Sequence, residues 1–240
     1  MDDATVRHLL DLNRQFYQTF ALQFSATRQR LQAGVLRVIQ TIPPEGQVLD
    51  LGCGNGEVAR ELAKRDFPGR YHGIDQSAEF LDEARHKLAG ERNFSFEFAD
   101  LTSTSWHSSL PAMSFEVIMA FALLHHIPGS ALRRQLLTTA RSLLSPAGRF
   151  IHSEWQFLSS PRLQARLQPW EKAGLTTNQV DPGDYLIDWR AGSQGLRYVH
   201  LFTEEELAAL AQECGFKILE TFLSDGEGGK LGLYQIWKRV

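Results

Sequence analysis

The stretch "VLDLGCGNGEVARELA", residues 48–63, joins a short apolar run to a glycine-rich turn and then to a segment of helical period. The run ends just after Asp50, and Gly52, Gly54 and Gly56 follow at every second position. A strand that ends in such a turn and continues into a helix presents backbone N–H groups to a ligand at the carboxyl edge of a sheet. The stretch therefore predicts a ligand site, with a tight strand-to-helix connection as the alternative interpretation.

The rest of the chain alternates short β-branched or aromatic runs with longer segments of helical period, the pattern of βαβ units around a parallel sheet. Residues 1–40 precede the first strand and have helical period, which predicts an N-terminal helical cap. Residues 155–200 lack a long regular period, which predicts an insert after the fifth strand. The fold class is therefore α/β, with strands predicted at residues 47–51, 70–74, 94–98, 115–120, 148–154, 216–222 and 231–237.

The composition indicates one globular domain, because 240 residues with 43% hydrophobic content can bury a substantial core. We expect this domain to span residues 1–240. Its expected parts are the cap at 1–40, a cofactor-binding core at 41–154, a substrate-side insert at 155–200, and the last helix and C-terminal strands at 201–240.

The two cysteines, Cys53 and Cys214, lie far apart without paired spacing, so we predict neither a disulfide framework nor a zinc site. No leader sequence and no apolar stretch of roughly 18 residues is evident, so we expect a cytoplasmic protein without a membrane anchor. The net charge of −3 neither indicates nor excludes a nucleic-acid partner.

Acidic residues follow the first three predicted strands at the same sheet edge. Asp50 precedes the glycine turn, Asp75 ends the second strand before a helix start, and Asp100 follows the third strand. A single acid at a strand end is usually a helix cap, but three acids beside a glycine turn are harder to explain in that way. A carboxylate at the position of Asp75 can accept hydrogen bonds from both hydroxyls of a ribose.

The ligand at this edge could be a dinucleotide or S-adenosylmethionine. A dinucleotide site requires a third glycine three residues after the second, where a pyrophosphate lies on the helix N-terminus. Glu57 occupies that position and would repel a pyrophosphate. An acidic edge instead favours S-adenosylmethionine, which carries a sulfonium and an ammonium and no phosphate.

Four motifs of the chain resemble those of class I S-adenosylmethionine-dependent methyltransferases: DLGCGNG at 50–56, GID at 73–75, ADL at 99–101 and FEVIMAFALLHHI at 115–127. The resemblance implies a seven-stranded, mostly parallel, Rossmann-like sheet with helices on both faces and an antiparallel last strand. It also implies S-adenosylmethionine as the cofactor, with the methionine end near Asp50 and Gly52. The predicted cofactor-binding residues are Asp50, Gly52, Cys53, Gly54, Asn55, Gly56, Asp75, Gln76, Asp100, Leu101 and Phe121.

The flanking segments resemble one family within this class, the tRNA wobble-uridine carboxymethyl methyltransferases. The similar segments are FYQTFALQFSATRQR at 16–30, GDYLIDW at 183–189 and RYVHLFTEEEL at 197–207. The chain departs from that family at Val199 and across residues 155–180. The resemblance implies a carboxylate-bearing modified uridine in tRNA as the acceptor and a small zinc-binding activator protein as a partner.

Methyl transfer from a sulfonium is an in-line displacement, so the enzyme must align the acceptor and exclude water, whereas a general base is optional. We predict His125, Arg197 and His200 as catalytic residues, although His125 and His126 could instead only pack or cap a turn. We predict that Tyr17, Arg28 and Trp189 bind the acceptor and that no metal is required. The alternatives are a small-molecule methyltransferase, favoured by tryptophans in the insert, and a non-catalytic cofactor-binding scaffold.

Overall fold

The polypeptide forms two sheets and a set of surrounding helices. The computed structural model describes residues 1–26, 30–190 and 195–240. The strands are β1 (Gln47–Leu51), β2 (Arg70–Asp75), β3 (Phe94–Phe98), β4 (Phe115–Phe121), β5 (Leu144–Trp155), β6 (Leu167–Gln168), β7 (Asp184–Trp189), β8 (Gly195–His200), β9 (Phe216–Ser224) and β10 (Gly232–Arg239). The helices are α1 (Asp3–Ala26), α2 (Ala33–Ile39), α3 (Glu57–Ala63), α4 (Ala78–Lys87), α5 (Ser130–Leu143), α6 (Pro161–Gln164) and α7 (Glu204–Glu213).

The main sheet has seven strands in the order β3-β2-β1-β4-β5-β10-β9. The first five strands in that order pair in parallel, and β10 pairs antiparallel with both β5 and β9. This arrangement confirms the predicted Rossmann-like fold with an antiparallel last strand. The order reverses at β1 and β4, so the carboxyl ends of these two strands border the crevice in which such sheets bind ligands.

The central strands are apolar because both faces of the sheet are covered. Alternate residues of β4 point to opposite faces: Val117 and Met119 join one core cluster, whereas Ile118 and Ala120 join the other. All four are completely buried. A parallel strand buried on both faces appears in the sequence as a continuous apolar run rather than as an alternation, and residues 115–121 follow that pattern.

The predicted insert contains a small antiparallel sheet that the sequence pattern did not predict. Its strand order is β6-β7-β8, and Ile187 of β7 lies opposite Arg197 of β8. The strands β7 and β8 carry buried polar side chains such as Asp184 and His200, so they lack the alternation of apolar and polar residues typical of a half-exposed strand. The strand β6 has only two residues, which is too short for a pattern.

The N-terminal cap is mainly α1, which crosses the free edge of β8. The buried Asn13 side chain accepts a hydrogen bond from the Tyr198 backbone N–H at 2.8 Å and donates to the Tyr198 carbonyl oxygen at 3.1 Å. It also donates to the carbonyl oxygen of His126, in the turn that follows β4, at 3.2 Å. One amide therefore occupies the hydrogen-bonding groups of an edge strand and ties that strand to the main sheet. Within the described ranges, no helix is long and apolar enough to cross a membrane.

Candidate cofactor and acceptor site

The glycine turn after β1 has the geometry that both interpretations of the sequence require, a ligand site and a tight strand-to-helix connection. Gly52, Gly54 and Gly56 have φ values of 72°, 54° and 77°, in the left-handed region that favours glycine. A Cβ atom at Gly56 would lie 2.8 Å from the Cβ atom of Ala84 in α4, so this glycine allows close helix packing. A Cβ atom at Gly54 would meet no atom within 4 Å, so the backbone there faces open space where a ligand can approach.

Asp75 lies at the end of β2 and organises the turn. Its carboxylate accepts hydrogen bonds from the backbone N–H groups of Gly54 and Ser77, both at 2.9 Å. Burial raises the pKa of Asp75 above its ordinary value, and these backbone hydrogen bonds act in the opposite direction. The Ser77 hydroxyl accepts a hydrogen bond from the Phe80 N–H at 3.2 Å and so caps the N-terminus of α4.

Asp50 is a buried acid with 2% exposure in β1. Its pKa is raised from 3.8 to about 7. Burial is the largest cause and the nearby Asp75 adds to it, whereas the hydrogen bond donated by the Tyr71 hydroxyl lowers the pKa. Two acids therefore share a poorly solvated site, and among the described residues neither forms an ion pair with a cation. A positively charged ligand would reduce the cost of burying them. This pair of carboxylates fits the positively charged sulfonium and ammonium groups of S-adenosylmethionine.

A cavity of about 480 Å³ opens at this edge of the sheet. Beside the cavity, Asp100 accepts from the Thr102 N–H at 2.9 Å and lies 3.8 Å from Arg14 of α1. The predicted cofactor residue Gly56 is outside the lining and contributes packing instead. The predicted cofactor residues that line the cavity are Asp50, Gly52, Cys53, Gly54, Asn55, Asp75, Gln76, Asp100, Leu101 and Phe121.

Arg197 contributes a buried guanidinium group to the same cavity. It is 3% exposed, and its Cζ atom lies 5.3 Å from the ring centroid of Phe16 and 4.9 Å from that of Trp155. Burial lowers the pKa of Arg197, whereas interaction and hydrogen bonding with Tyr17 raise it. Aromatic faces and a phenol therefore hold a positive charge at the cavity wall.

Tyr17 connects Arg197 to His126. The Tyr17 hydroxyl oxygen lies 2.8 Å from His126 Nε2, and His126 Nδ1 lies 3.3 Å from the carbonyl oxygen of Tyr198. A carbonyl oxygen only accepts, so in the neutral imidazole Nδ1 carries the proton and Nε2 accepts a hydrogen bond from the Tyr17 hydroxyl. The lone pairs of the phenol oxygen are thereby left to accept from the Arg197 guanidinium.

His125 lines the cavity in front of a buried acid. Its Nδ1 atom lies 3.1 Å from Glu154 Oε2, and its backbone N–H donates to the same oxygen at 3.1 Å. The other Glu154 oxygen lies 2.9 Å from His152 Nδ1. Burial raises the pKa of Glu154 well above its ordinary value and lowers that of His152 to about 3, so His152 is neutral at physiological pH. The buried Glu154 therefore fixes the orientation of His125.

His200 does not reach the cavity, so the structure corrects its predicted place at the site. In a strand, residues three positions apart face opposite sides, so Arg197 and His200 point away from each other. His200 Nδ1 instead lies 2.6 Å from Asp184 Oδ1, and its Nε2 atom lies 2.9 Å from Glu206 Oε1. Its role is to join the insert to α7.

The remaining predicted acceptor residues divide into two groups. Trp189 lines the cavity on the same face of the insert sheet as Arg197, and Tyr17 lines it from α1. Arg28 lies outside the described residues. In the part of the chain that the structure describes, no group of three or more His, Cys, Asp or Glu side chains is arranged to hold a metal ion.

Several residues that line the cavity were not predicted from the sequence. They lie on the insert or on β5, and none of the recognised motifs covers these segments. The sequence signal for some of them is the frequent occurrence of arginine and tryptophan between residues 155 and 190. Among them are Glu154, Arg162 and Arg166, whereas Trp155 is one of the insert tryptophans that favoured the small-molecule alternative. The sequence left open whether His126 faces the site, and it lines the cavity.

The model of a methyltransferase domain family matches residues 24–221. A relative from Encephalitozoon cuniculi, which bears a provisional methyltransferase name, is 28% identical over 209 residues, covering 86% of this chain and 87% of that protein. The trans-aconitate 2-methyltransferase of Pseudomonas aeruginosa is 33% identical over 196 residues, covering 80% of this chain and 62% of that protein.

The fold is also similar to that of solved S-adenosylmethionine-dependent methyltransferases. One from Methanosarcina mazei superposes with a TM-score of 0.64 at 19% identity, covering 85% of this chain and 97% of that chain. The match to the family model covers well over half of the chain, and the motifs that line the cavity lie within it. The chain therefore belongs to the methyltransferase domain family and is an S-adenosylmethionine-dependent methyltransferase.

Proposed function

We propose that this enzyme transfers the methyl group of S-adenosylmethionine to a small acceptor that carries a carboxylate. The observation that carries the proposal is the separation of charge within one cavity. The acids Asp50, Asp75 and Asp100 lie at or just after the ends of β1 to β3, whereas Arg197 lines the same cavity from β8 of the insert. A cationic donor and an anionic acceptor would each meet side chains of the opposite charge, so each substrate would occupy a defined part of the cavity beside the other.

Arg197 is suited to hold the acceptor because a guanidinium can bind a carboxylate through two parallel hydrogen bonds. Phe16 and Trp155 restrict its movement, and Tyr17 orients it. When bound, the donor supplies a methyl group on a sulfonium. The protein's part is to align the acceptor oxygen with that methyl group and to keep water out. An ionised carboxylate needs no general base. This agrees with the hydrogen bonding at the cavity wall, where the Tyr17 hydroxyl directs its proton at His126.

The trans-aconitate 2-methyltransferase of Pseudomonas aeruginosa supports a small acid as the acceptor, although this chain covers only 62% of its length. A second candidate is the carboxylate-bearing modified uridine of tRNA. The exposed arginines Arg30 and Arg162 at the cavity favour it, since a phosphate backbone could contact them. Both candidates require the same carboxylate at Arg197.

The test is methyl transfer from labelled donor to a panel of acceptors. The panel contains monocarboxylates, dicarboxylates, trans-aconitate, matched neutral amides and tRNA that bears carboxymethyluridine. We expect labelling of acids and none of the amides, and we expect Arg197→Gln to abolish labelling while donor binding persists. Equal labelling of acids and amides would contradict the proposal, and labelling of tRNA alone would select the second candidate.

A further inference from the structure

The insert brings a second cationic position to the cavity in addition to Arg197. Arg166 and Arg162 both line the cavity. Arg166 Nε lies 3.1 Å from Asp188 Oδ1, and Arg190 Nε lies 2.8 Å from the other oxygen of the same carboxylate. Two guanidinium groups share this single acid, and the exposed Arg162 adds a third positive charge nearby. The rim formed by Arg162, Arg166, Asp188 and Arg190 therefore has a net positive charge.

An aromatic wall connects the two cationic positions. Arg197 lies over the ring of Phe16, at 5.3 Å from its centroid. The Phe16 ring packs against that of Trp189 with a centroid distance of 5.9 Å, and the Cζ atom of Arg166 lies 5.9 Å from the Trp189 centroid. Phe16 packs behind this wall and does not line the cavity, whereas Trp155 next to Arg197 and Trp189 next to Arg166 both line it. An acceptor lying along these two tryptophans would have a hydrocarbon or planar body between its two ends.

The two positions also affect each other electrostatically. After burial, the positive charge of Arg166 is one of the factors that lower the pKa of Arg197. The two guanidinium groups are thus close enough in a poorly solvated space to repel each other. An anion at each position would replace this repulsion with two attractions, so a doubly anionic ligand complements the cavity better than a singly anionic one.

We infer that the acceptor carries a second anionic group, a carboxylate or a phosphate, which binds Arg166 and Arg162 while its first carboxylate binds Arg197. This inference rests on the proposed function and adds the class of substrate: a dianion with an apolar or planar body. The second anion could belong to a small dicarboxylic acid or to the phosphate of a nucleotide.

The inference is tested by calorimetry on the full chain saturated with S-adenosylhomocysteine, which lacks the methyl group and so prevents turnover. Hexanoate is compared with adipate, and 5-carboxymethyluridine with its 3′-phosphate. We expect the second anion to tighten binding by at least roughly fivefold in one of the two pairs. Preference for adipate identifies a small diacid, and preference for the phosphorylated nucleoside identifies a nucleotide.

Single substitutions locate the effect. Arg162→Gln and Arg166→Gln are each expected to reduce the preference for the dianion, measured as the ratio of the two affinities, to less than about half of its original value. The matched control is Arg134→Gln, since Arg134 is an exposed arginine of α5 that pairs with Glu213 away from the cavity. Unchanged S-adenosylhomocysteine affinity shows that each variant is folded, and Arg162 is exposed enough to be replaced without loss of structure.

Three outcomes overturn the inference, and they distinguish its failure from that of the proposed function. If the monoanion and dianion bind equally and both need Arg197, the inference is wrong and the proposed function stands. If the dianion preference persists in both rim variants as it does in Arg134→Gln, the second anion does not bind at Arg162 and Arg166. If neither anion of a pair binds in a manner that depends on Arg197, the proposed function fails together with the inference.

Discussion

Asp75 combines two tasks at one residue, because its carboxylate holds the glycine turn and faces the cavity. We propose that this carboxylate also accepts hydrogen bonds from the donor ribose. We therefore expect Asp75→Ala to weaken S-adenosylmethionine binding by roughly 1.5–3 kcal/mol, the range for bonds to charged groups. Calorimetry measures this loss, and thermal unfolding shows whether the turn survives. Full affinity in a folded variant would show that another residue binds the ribose.

Arg197 is the residue whose shape matters as well as its charge. Lysine retains the positive charge but lacks the planar pair of N–H donors, so it cannot align a carboxylate in the same way. We expect Arg197→Lys to lower turnover of an acid acceptor at least about tenfold, or roughly 1.4 kcal/mol, with unchanged donor affinity. Steady-state kinetics and donor titration make the measurement. Turnover within twofold of the native enzyme would restrict Arg197 to a structural role.

Among the structural elements, α1 has a function that its sequence alone does not display. Asn13 occupies both backbone groups of Tyr198 at the edge of β8, so Asn13→Ala leaves a buried N–H and C=O without this partner. We expect a loss of about 1–3 kcal/mol of unfolding free energy in urea titrations. The control is Gln18→Ala at an exposed position of the same helix, which should stay within about 0.5 kcal/mol of the native value. Equal effects of the two substitutions would show that this amide does not secure the helix.

All seven strands of the main sheet could be predicted because each contains a compact run of β-branched or aromatic residues, although β5, β9 and β10 extend beyond the predicted ranges 148–154, 216–222 and 231–237. The run 47–51 became β1 with unchanged ends, and the runs at 70–74 and 115–120 were each one residue too short. The insert sheet could not be predicted, because buried polar residues such as Asp184 hide its alternation. His200 was misplaced for a related reason: without a strand assignment, the opposite facing of residues 197 and 200 was not visible.

At the scale of the whole molecule, the two halves of the site differ in how far the sequence reveals them. The donor half follows from β1 to β4, where short motifs end consecutive strands at one edge. The acceptor half is assembled from α1, the turn after β4 and the insert. Tyr17 and Arg197 are 180 residues apart in the chain and meet because α1 packs against β8, through Phe16 beside Arg197 and through the hydrogen bonds of Asn13 to Tyr198. Only the tertiary structure shows that contact.

The buried ionisable groups also link the stability of the whole molecule to pH. Burial raises the pKa of Asp50 from 3.8 to about 7, so between these values the folded chain holds a proton that the unfolded chain has lost, and stability falls as pH rises. Burial lowers the pKa of His152 from 6.5 to about 3, so in that window the unfolded chain binds the extra proton and stability rises with pH. The two effects oppose each other over most of the acidic range.

Donor binding should reverse the contribution of Asp50. A bound cation favours the ionised carboxylate, so the proton that Asp50 holds below about pH 7 must leave on binding. We expect S-adenosylmethionine affinity to rise roughly tenfold between about pH 5.5 and 7.0, a range in which the donor's amino group stays protonated. Calorimetry in two buffers of different ionisation enthalpy measures the proton release. Asp50→Asn should flatten the profile and remove that release, whereas an unchanged profile in this variant would assign the titration to another group such as Asp75.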